Sequence, residues 1–465
     1  MLLLADENIP FAREAFGALG EVQLVAGRAI TRNIAREAEA LLVRSVTTVN
    51  AAFLEGSRVK FVGTATIGTD HIDLDYLRQK GIAFASAAGC NANAVAEYIV
   101  AALLHVAAQR QIVLEGLTLG IVGTGNVGSR VAQKARVLGL KVLLNDPPLA
   151  ALLYSTSRQE LTPALQPNLA RLSVDDSSPQ FCSLKDLMRA DFLTLHTPLV
   201  RSGPYPTFHL FDEIRLGKMK PGSVLLNTAR GEVVDNLALK KILRSGLLSG
   251  AILDVWEHEP HLDPELAELA ALATPHVAGY SFDGKLRGTL LIYEALCCFL
   301  QIVPSWNYEP LLPLVSQPEI DLREDEFNAP NVSQKIPPLR GPGGCYGFIN
   351  YPDDAEWRHH GATITAVTHS GEHARVEEHP PGPPQGRNIK LLHEAVRHAY
   401  DIVADDARLR AGMLRADCSK EERGKFFDKL RHEYPMRREF HNYRIQLPYD
   451  STNAQQQLLA LGFHL

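Results

Sequence analysis

A parallel α/β fold is what this sequence of 465 residues predicts, and three observations predict it. Short apolar runs alternate with helix-patterned segments as far as Leu300, one such run feeds a glycine-rich turn, and several others end in loops rich in hydroxyl, charged or imidazole side chains. The composition, 46% hydrophobic and 22% charged, is that of an ordinary globular chain with core enough for several domains. A net charge of -6 disfavours a nucleic-acid surface as the main business. Met1 to Leu4 lead straight into Asp6 and Glu7 without a basic n-region, and no later apolar run reaches bilayer length without polar interruption, so a cytoplasmic protein away from the membrane is expected. Cys90, Cys182, Cys297, Cys298, Cys345 and Cys418 lack CxxC spacing and are assigned neither a disulfide nor a metal.

The first strands are expected at Leu2 to Ala5, Val22 to Val25, Ala40 to Val43, Lys60 to Val62 and Ile82 to Ala85, the pattern of a small α/β unit. Two of them run into Arg44-Ser45-Val46-Thr47 and Gly63 to Gly68, and ligands of open α/β sheets collect at the carboxyl ends of strands. Position alone leaves Ser45 and Thr66 open between capping a turn and touching a substrate. Asn93 to Val113, apolar at helical spacing, reads as a long connecting helix into a second unit. Strands are expected there at Leu117 to Val122, Lys141 to Asn145, Phe192 to Leu195, Ser223 to Asn227 and Gly250 to Leu253, forming a doubly wound parallel sheet.

Residues 120 to 128 read GIVGTGNVG between a strand and a helix-like segment. Gly123 permits the tight turn, Gly125 lets backbone N-H groups approach a pyrophosphate, and Gly128 lets the helix pack on its strand with its positive end toward the phosphates. Asp146 follows the next strand, 18 residues beyond Gly128, where a carboxylate accepts from the adenosine ribose hydroxyls. Strand, loop, helix, strand and acid together define a dinucleotide (Rossmann) domain. Asp146 is followed by Pro147 and Pro148 rather than an arginine, and its charge repels a 2′-phosphate, so NAD is preferred over NADP.

Three residues just beyond predicted strands suit hydride transfer from a secondary alcohol: Arg230 in NTARGEVVDN, Glu259 in DVWEHEP and His276 in TPHVAGYS. Histidine titrates near neutral pH and can take the hydroxyl proton as the hydride leaves. A neighbouring carboxylate stabilises the imidazolium, and a guanidinium fork matches the carboxylate of a 2-hydroxy or 2-oxo acid. Each residue type alone more often has a structural role; it is their joint setting that points to catalysis.

These motifs resemble the D-isomer-specific 2-hydroxyacid dehydrogenase family, which carries N-T-x-R-G, D-V-x-x-x-E-P and H-x-A-G stretches. The resemblance implies Arg230, Glu259 and His276 as the catalytic triad. It implies Asp254 near the nicotinamide carboxamide, with Asn126, Val127, Thr197 and Gly279 as further NAD contacts. It also implies an NAD domain, 93–276, inserted in a flavodoxin-like substrate domain, 1–92 and 277–303. Within the family the likeness is greatest to members that oxidise a small phosphorylated hydroxy acid, through LLADENIPFA, LLVRSVTTVN, FVGTATIGTDHIDLDYL, ASAAGCNANAVAEYIV and HVAGYSFDGKLRGT. That likeness implies substrate contacts from Ser45, Thr66 and Tyr280, with Arg44 a phosphate neighbour. Two other readings stay open. One is a different family member, such as one acting on 3-phosphoglycerate; the other is an NAD-sensing interaction protein.

From 304 to 465 a small α/β C-terminal dimerisation domain is expected, since HAYDIVADDARLR and FDKLRHEYPMRREF are similar to that part of the same relatives, which implies a homodimer. A stripe from Leu392 to Val403 reads as one amphipathic helix, Glu439 to Leu447 as a strand and Asn453 to Leu461 as the last helix. The basic run Lys425 to Arg438 reads as a solvated or subunit-facing surface. The proline-, glycine- and histidine-rich stretch 324–386 reads as a disordered insert whose histidines lack metal-ligand spacing, and 149–181 as a second insertion beside the cofactor loop.

Overall fold

The computed structural model describes residues 1–155, 165–174, 179–323, 385–415, 417–449 and 451–465. Nearly all of the histidine-rich insert, and part of the stretch after Asp146, lie outside the described residues.

Five strands, β1 (Leu2–Asp6), β2 (Glu21–Val25), β3 (Ala40–Val43), β4 (Phe61–Thr64) and β5 (Ala83–Ser86), form a parallel sheet in the order β2-β1-β3-β4-β5, the doubly wound arrangement of flavodoxin-like units. Buried on both faces, β3 (ALLV) and β4 (FVGT) read as unbroken apolar runs rather than alternating ones. The order reverses between β1 and β3, so the carboxyl end of β3 opens onto a crevice.

The chain leaves this sheet by the helix Ala92–Arg110. Rich in alanine, it is buried almost all round, and it ends where Gln111 adopts φ 54°. This helix alone among the described residues is long and apolar enough to cross a membrane, yet 83% of its apolar stretch is buried inside the protein. Six further strands follow: β6 (Thr118–Val122), β7 (Lys141–Asn145), β8 (Phe192–Leu195), β9 (Val224–Asn227), β10 (Gly250–Leu253) and β11 (Leu272–Ala273). They pair in parallel in the order β11-β10-β9-β8-β6-β7, with Phe181 making a lone bridge outside β7 at Leu144. This sheet reverses between β6 and β8, beside the glycine loop. The insertion after Asp146 contains the helices Pro147–Ser155 and Gln166–Leu172, the second of which packs on the helix Asn126–Val137.

The helix Phe282–Leu300 then returns to the first sheet, where Ile292, Tyr293, Leu296 and Cys297 join its core. The two sheets are thus tied by two long helices, one leaving and one returning.

Beyond residue 303 three expectations are corrected. The single helix expected over Leu392 to Val403 is two helices, Gln385–Ala399 and Ile402–Met413, because Asp401 at the break accepts the amides of Val403 and Ala404 and restarts the helix as its N-cap. The strand expected over Glu439 to Leu447 shrinks to β13 (Arg444–Gln446), paired in parallel with β12 (Glu319–Asp321) across the histidine-rich insert. Arg437 and Arg438, expected at a solvated or subunit-facing surface, are only 6% and 5% exposed. Burying such charges is costly unless they are paired, and both are. Arg437 Nη2 lies 3.4 Å from Glu97 on the outgoing helix, and Arg438 Nη2 lies 3.0 Å from Asp283 on the returning one. Glu439 completes the clasp, accepting from Ser281, Arg287 and Asn93. The C-terminal segment therefore fastens both connecting helices; Leu392, Val396 and Leu458 join one core cluster of the second sheet, and Leu409, Met413 and Phe427 join the other.

Candidate active site

The glycine loop is built as the spacing predicts. Gly123 has φ +85°, and a Cβ there would meet the His196 carbonyl oxygen at 2.7 Å. A Cβ on Gly128 would come within 2.0 Å of the Gly123 oxygen, so only glycine lets the helix Asn126–Val137 start this close to its strand. Gly125 faces open space, with nothing within 4 Å of a Cβ built on it, which leaves room for a pyrophosphate against the backbone. Asp146 closes the loop: its Oδ2 accepts from the Thr124 amide at 2.8 Å and hydroxyl at 3.0 Å, and its Oδ1 accepts from the Leu149 amide at 3.0 Å. Beside Gly123, Thr197 Oγ1 is buried without a hydrogen-bond partner among the described residues, an unmet polar group that a bound cofactor would satisfy. Asn126 packs against Gly89, and Gly279 against Asn91, so both predicted NAD contacts sit where the two sheets meet. Val127 lies one residue into the same helix, packed on the core. These features fit NAD, which when bound supplies the carbon that accepts a hydride.

At the carboxyl ends of β10 and β11, Glu259 and His276 are brought together. His276 Nδ1 lies 2.8 Å from Glu259 Oε2, while Glu259 Oε1 accepts from the Trp256 amide at 2.9 Å. Burial alone would push the Glu259 carboxyl up, but the His276 charge and hydrogen bond, with Arg431 and the Trp256 amide, outweigh it and hold the pKa below the ordinary carboxylate value. His276 has φ +58°, a conformation uncommon outside glycine. Its amide donates to the Asp254 carbonyl at 2.7 Å, and the Asp254 carboxylate binds the Val277 and Ala278 amides at 2.8 and 3.0 Å and the Thr274 hydroxyl at 2.6 Å. Buried Asp254 thus holds the histidine loop in its strained shape. With Nδ1 tied to Glu259, Nε2 is the nitrogen left to meet a substrate proton.

Arg230 stands at the end of β9 without touching His276. Its Nε and Nη2 donate to Asp70 Oδ2 at 3.2 and 3.0 Å, across from the loop after β4, and its carbonyl accepts from Asn227 at 2.9 Å. Of the three expected substrate contacts, Thr66 is tied to Thr64 at 2.9 Å and Ser45 lies exposed on the loop after β3. Tyr280 stands edge-on to Tyr434.

Sequence reasoning missed Asp70 and His196. Asp70 carries no motif signal, because its pairing with Arg230 spans 160 residues. His196 ends β8 in the crevice, yet burial drives its pKa down to about 3, and its ring nitrogens lie 3.0 and 3.3 Å from Thr194 and Thr228. It stays neutral at physiological pH.

Fold and site define an NAD-dependent dehydrogenase acting on a CH-OH group. A family model described as "D-isomer specific 2-hydroxyacid dehydrogenase, NAD binding domain" matches residues 97–278, and a domain of unknown function, DUF3410, matches 385–462. The erythronate-4-phosphate dehydrogenase of Cellvibrio japonicus (strain Ueda107) is 40% identical, the match covering 100% of this chain and 99% of that one. That of Cronobacter sakazakii (strain ATCC BAA-894) is 42% identical over 77% of this chain and 92% of its own. Among solved structures, D-lactate dehydrogenase from Aquifex aeolicus, complexed with NAD and lactic acid, is 28% identical with a TM-score of 0.52, covering 65% of this chain and 96% of that one. The chain belongs to the D-isomer-specific 2-hydroxyacid dehydrogenase family, in the branch of the erythronate-4-phosphate dehydrogenases.

Proposed function

We propose that the protein oxidises 4-phospho-D-erythronate to 2-oxo-3-hydroxy-4-phosphobutanoate with NAD, a step of pyridoxal 5′-phosphate biosynthesis. The observation that carries this reading is the Glu259–His276 hydrogen bond at the mouth of the cofactor crevice. His276 takes the proton of the C2 hydroxyl on Nε2 as the C2 hydride departs. Glu259, ionised and fixed by the Trp256 amide, offsets the imidazolium charge that results. Arg230 leaves Asp70 and turns its fork to the substrate carboxylate. Gly123, Gly125, Asn126, Val127, Gly128, Asp146, Thr197 and Gly279 hold NAD, and Asp254 acts there through the loop it fastens. Ser45, Thr66 and Tyr280 hold the substrate.

In this reading 93–276 is the cofactor domain, 1–92 with 277–303 the substrate domain, and 304–465 the dimerisation domain of a cytoplasmic homodimer. Leu314, 92% exposed on that last segment, is an apolar side chain that a subunit contact would cover. NADH formation from 4-phospho-D-erythronate, compared with 3-phosphoglycerate, tests the reaction, and light scattering on the purified protein tests the dimer.

A further inference from the structure

Lys285 lies in the first turn of the helix Phe282–Leu300, with its Nζ 4.8 Å from the centroid of the Tyr280 ring. On the same ring, Arg431 of the helix Lys420–His432 places its Cζ 5.8 Å from the centroid. Among the described residues the buried Nε of Arg431 has no hydrogen-bond partner. Arg44, at the carboxyl end of β3, donates to the Asn8 carbonyl at 3.2 Å. Among the described residues neither Arg44 nor Lys285 has a carboxylate partner. Burial, and next to it the Arg44 charge, push the Lys285 pKa down to about 8. Arg431 faces Glu259 and Tyr280, but Lys285 and Arg44 carry like charge beside one another without such a partner, and an anion entering between them would offset that repulsion.

We propose that Lys285 and Arg431, both against the Tyr280 ring, form with Arg44 the subsite that takes the phosphate monoester end of the substrate, so that the C-terminal segment supplies one of its cations. The cations come from three separate segments: the loop after β3, the start of the returning helix and a C-terminal helix. Arg230, once released from Asp70, serves the carboxylate at the other end of the same molecule. The proposal rests on the substrate reading above for its ligand, but not for its geometry.

The experiment compares Lys285→Met, Lys285→Arg and Arg431→Met with the unaltered protein. The readouts are KM and kcat for 4-phospho-D-erythronate and for D-erythronate, and the competitive inhibition constant of inorganic phosphate. Truncating one member of a buried charge pair weakens binding by roughly 30-fold or more. Lys285→Met is expected to raise KM for the phosphorylated acid and the phosphate inhibition constant by about that factor. The preference for phosphorylated over plain acid should collapse in proportion. Lys285→Arg should restore most of it, and Arg431→Met should follow Lys285→Met in direction. Equal losses on both acids, or an unchanged phosphate inhibition constant, would overturn the proposal. Should the unaltered protein fail to oxidise 4-phospho-D-erythronate, the functional reading falls, and calorimetric titration with inorganic phosphate then judges the subsite alone. Binding lost in Lys285→Met supports the subsite, and equal binding by both proteins refutes it.

Discussion

Glu259 and His276, 17 residues apart, are joined by a 2.8 Å hydrogen bond through Nδ1 that leaves Nε2 of the imidazole outside the pair. Glu259 is nearly enclosed, yet its pKa lies below the ordinary value, so it stays ionised through the neutral range. The sign of the linkage follows: a depressed carboxylate adds stability above its unfolded pKa and loses it as pH falls through the folded value.

Removing the base should separate chemistry from folding. His276→Ala is expected to lose about 100- to 10,000-fold in turnover, with circular dichroism and NADH binding retained. Glu259→Gln keeps the shape but not the charge, and a loss of at least about tenfold is expected. Steady-state kinetics on the two variants checks both figures.

Asp70 occupies the fork that Arg230 would offer to a substrate carboxylate. The pair is half exposed, with Asp70 58% accessible, and such pairs contribute about 1 kcal/mol or less. Asp70→Asn should therefore lower KM for the hydroxy acid by no more than about fivefold. A rise in KM would show instead that Asp70 positions Arg230.

A pH effect follows from Lys285, whose pKa is pushed down to about 8. The protonated form binds the phosphate, so KM for the phosphorylated acid should climb about tenfold between roughly pH 7 and 9. In Lys285→Arg the climb should disappear, because a guanidinium does not titrate in that range.

Gly128→Ala tests the cofactor loop. With the Gly123 oxygen only 2.0 Å from the new Cβ, helix and strand must part. NADH affinity should fall at least about tenfold and the melting temperature should drop by several degrees, measured by fluorescence titration and calorimetry. An unchanged affinity would mean that the loop has slack the geometry does not show.

Strands β3, β7, β8 and β10 begin and end at the residues the apolar runs predict, because parallel strands buried on both faces leave little but such runs. Glu259 and His276 were legible as a pair, since each closes a strand and they are near in sequence. Asp70, Lys285 and Arg431 were not. Their partners lie in other segments, and no local period records a contact such as Arg230 with Asp70. The buried Arg437 and Arg438 misled for a related reason. A basic run looks solvated unless the acids that neutralise it, here Glu97 and Asp283 on the two connecting helices, are known to lie opposite.

The most direct test of the account is NADH formation from 4-phospho-D-erythronate by the unaltered protein and by His276→Ala at equal cofactor saturation. The account predicts turnover with the phosphorylated four-carbon acid well above that with 3-phosphoglycerate, and a fall of at least about 100-fold in His276→Ala. Equal turnover by the two proteins, or a preference for 3-phosphoglycerate, would contradict it.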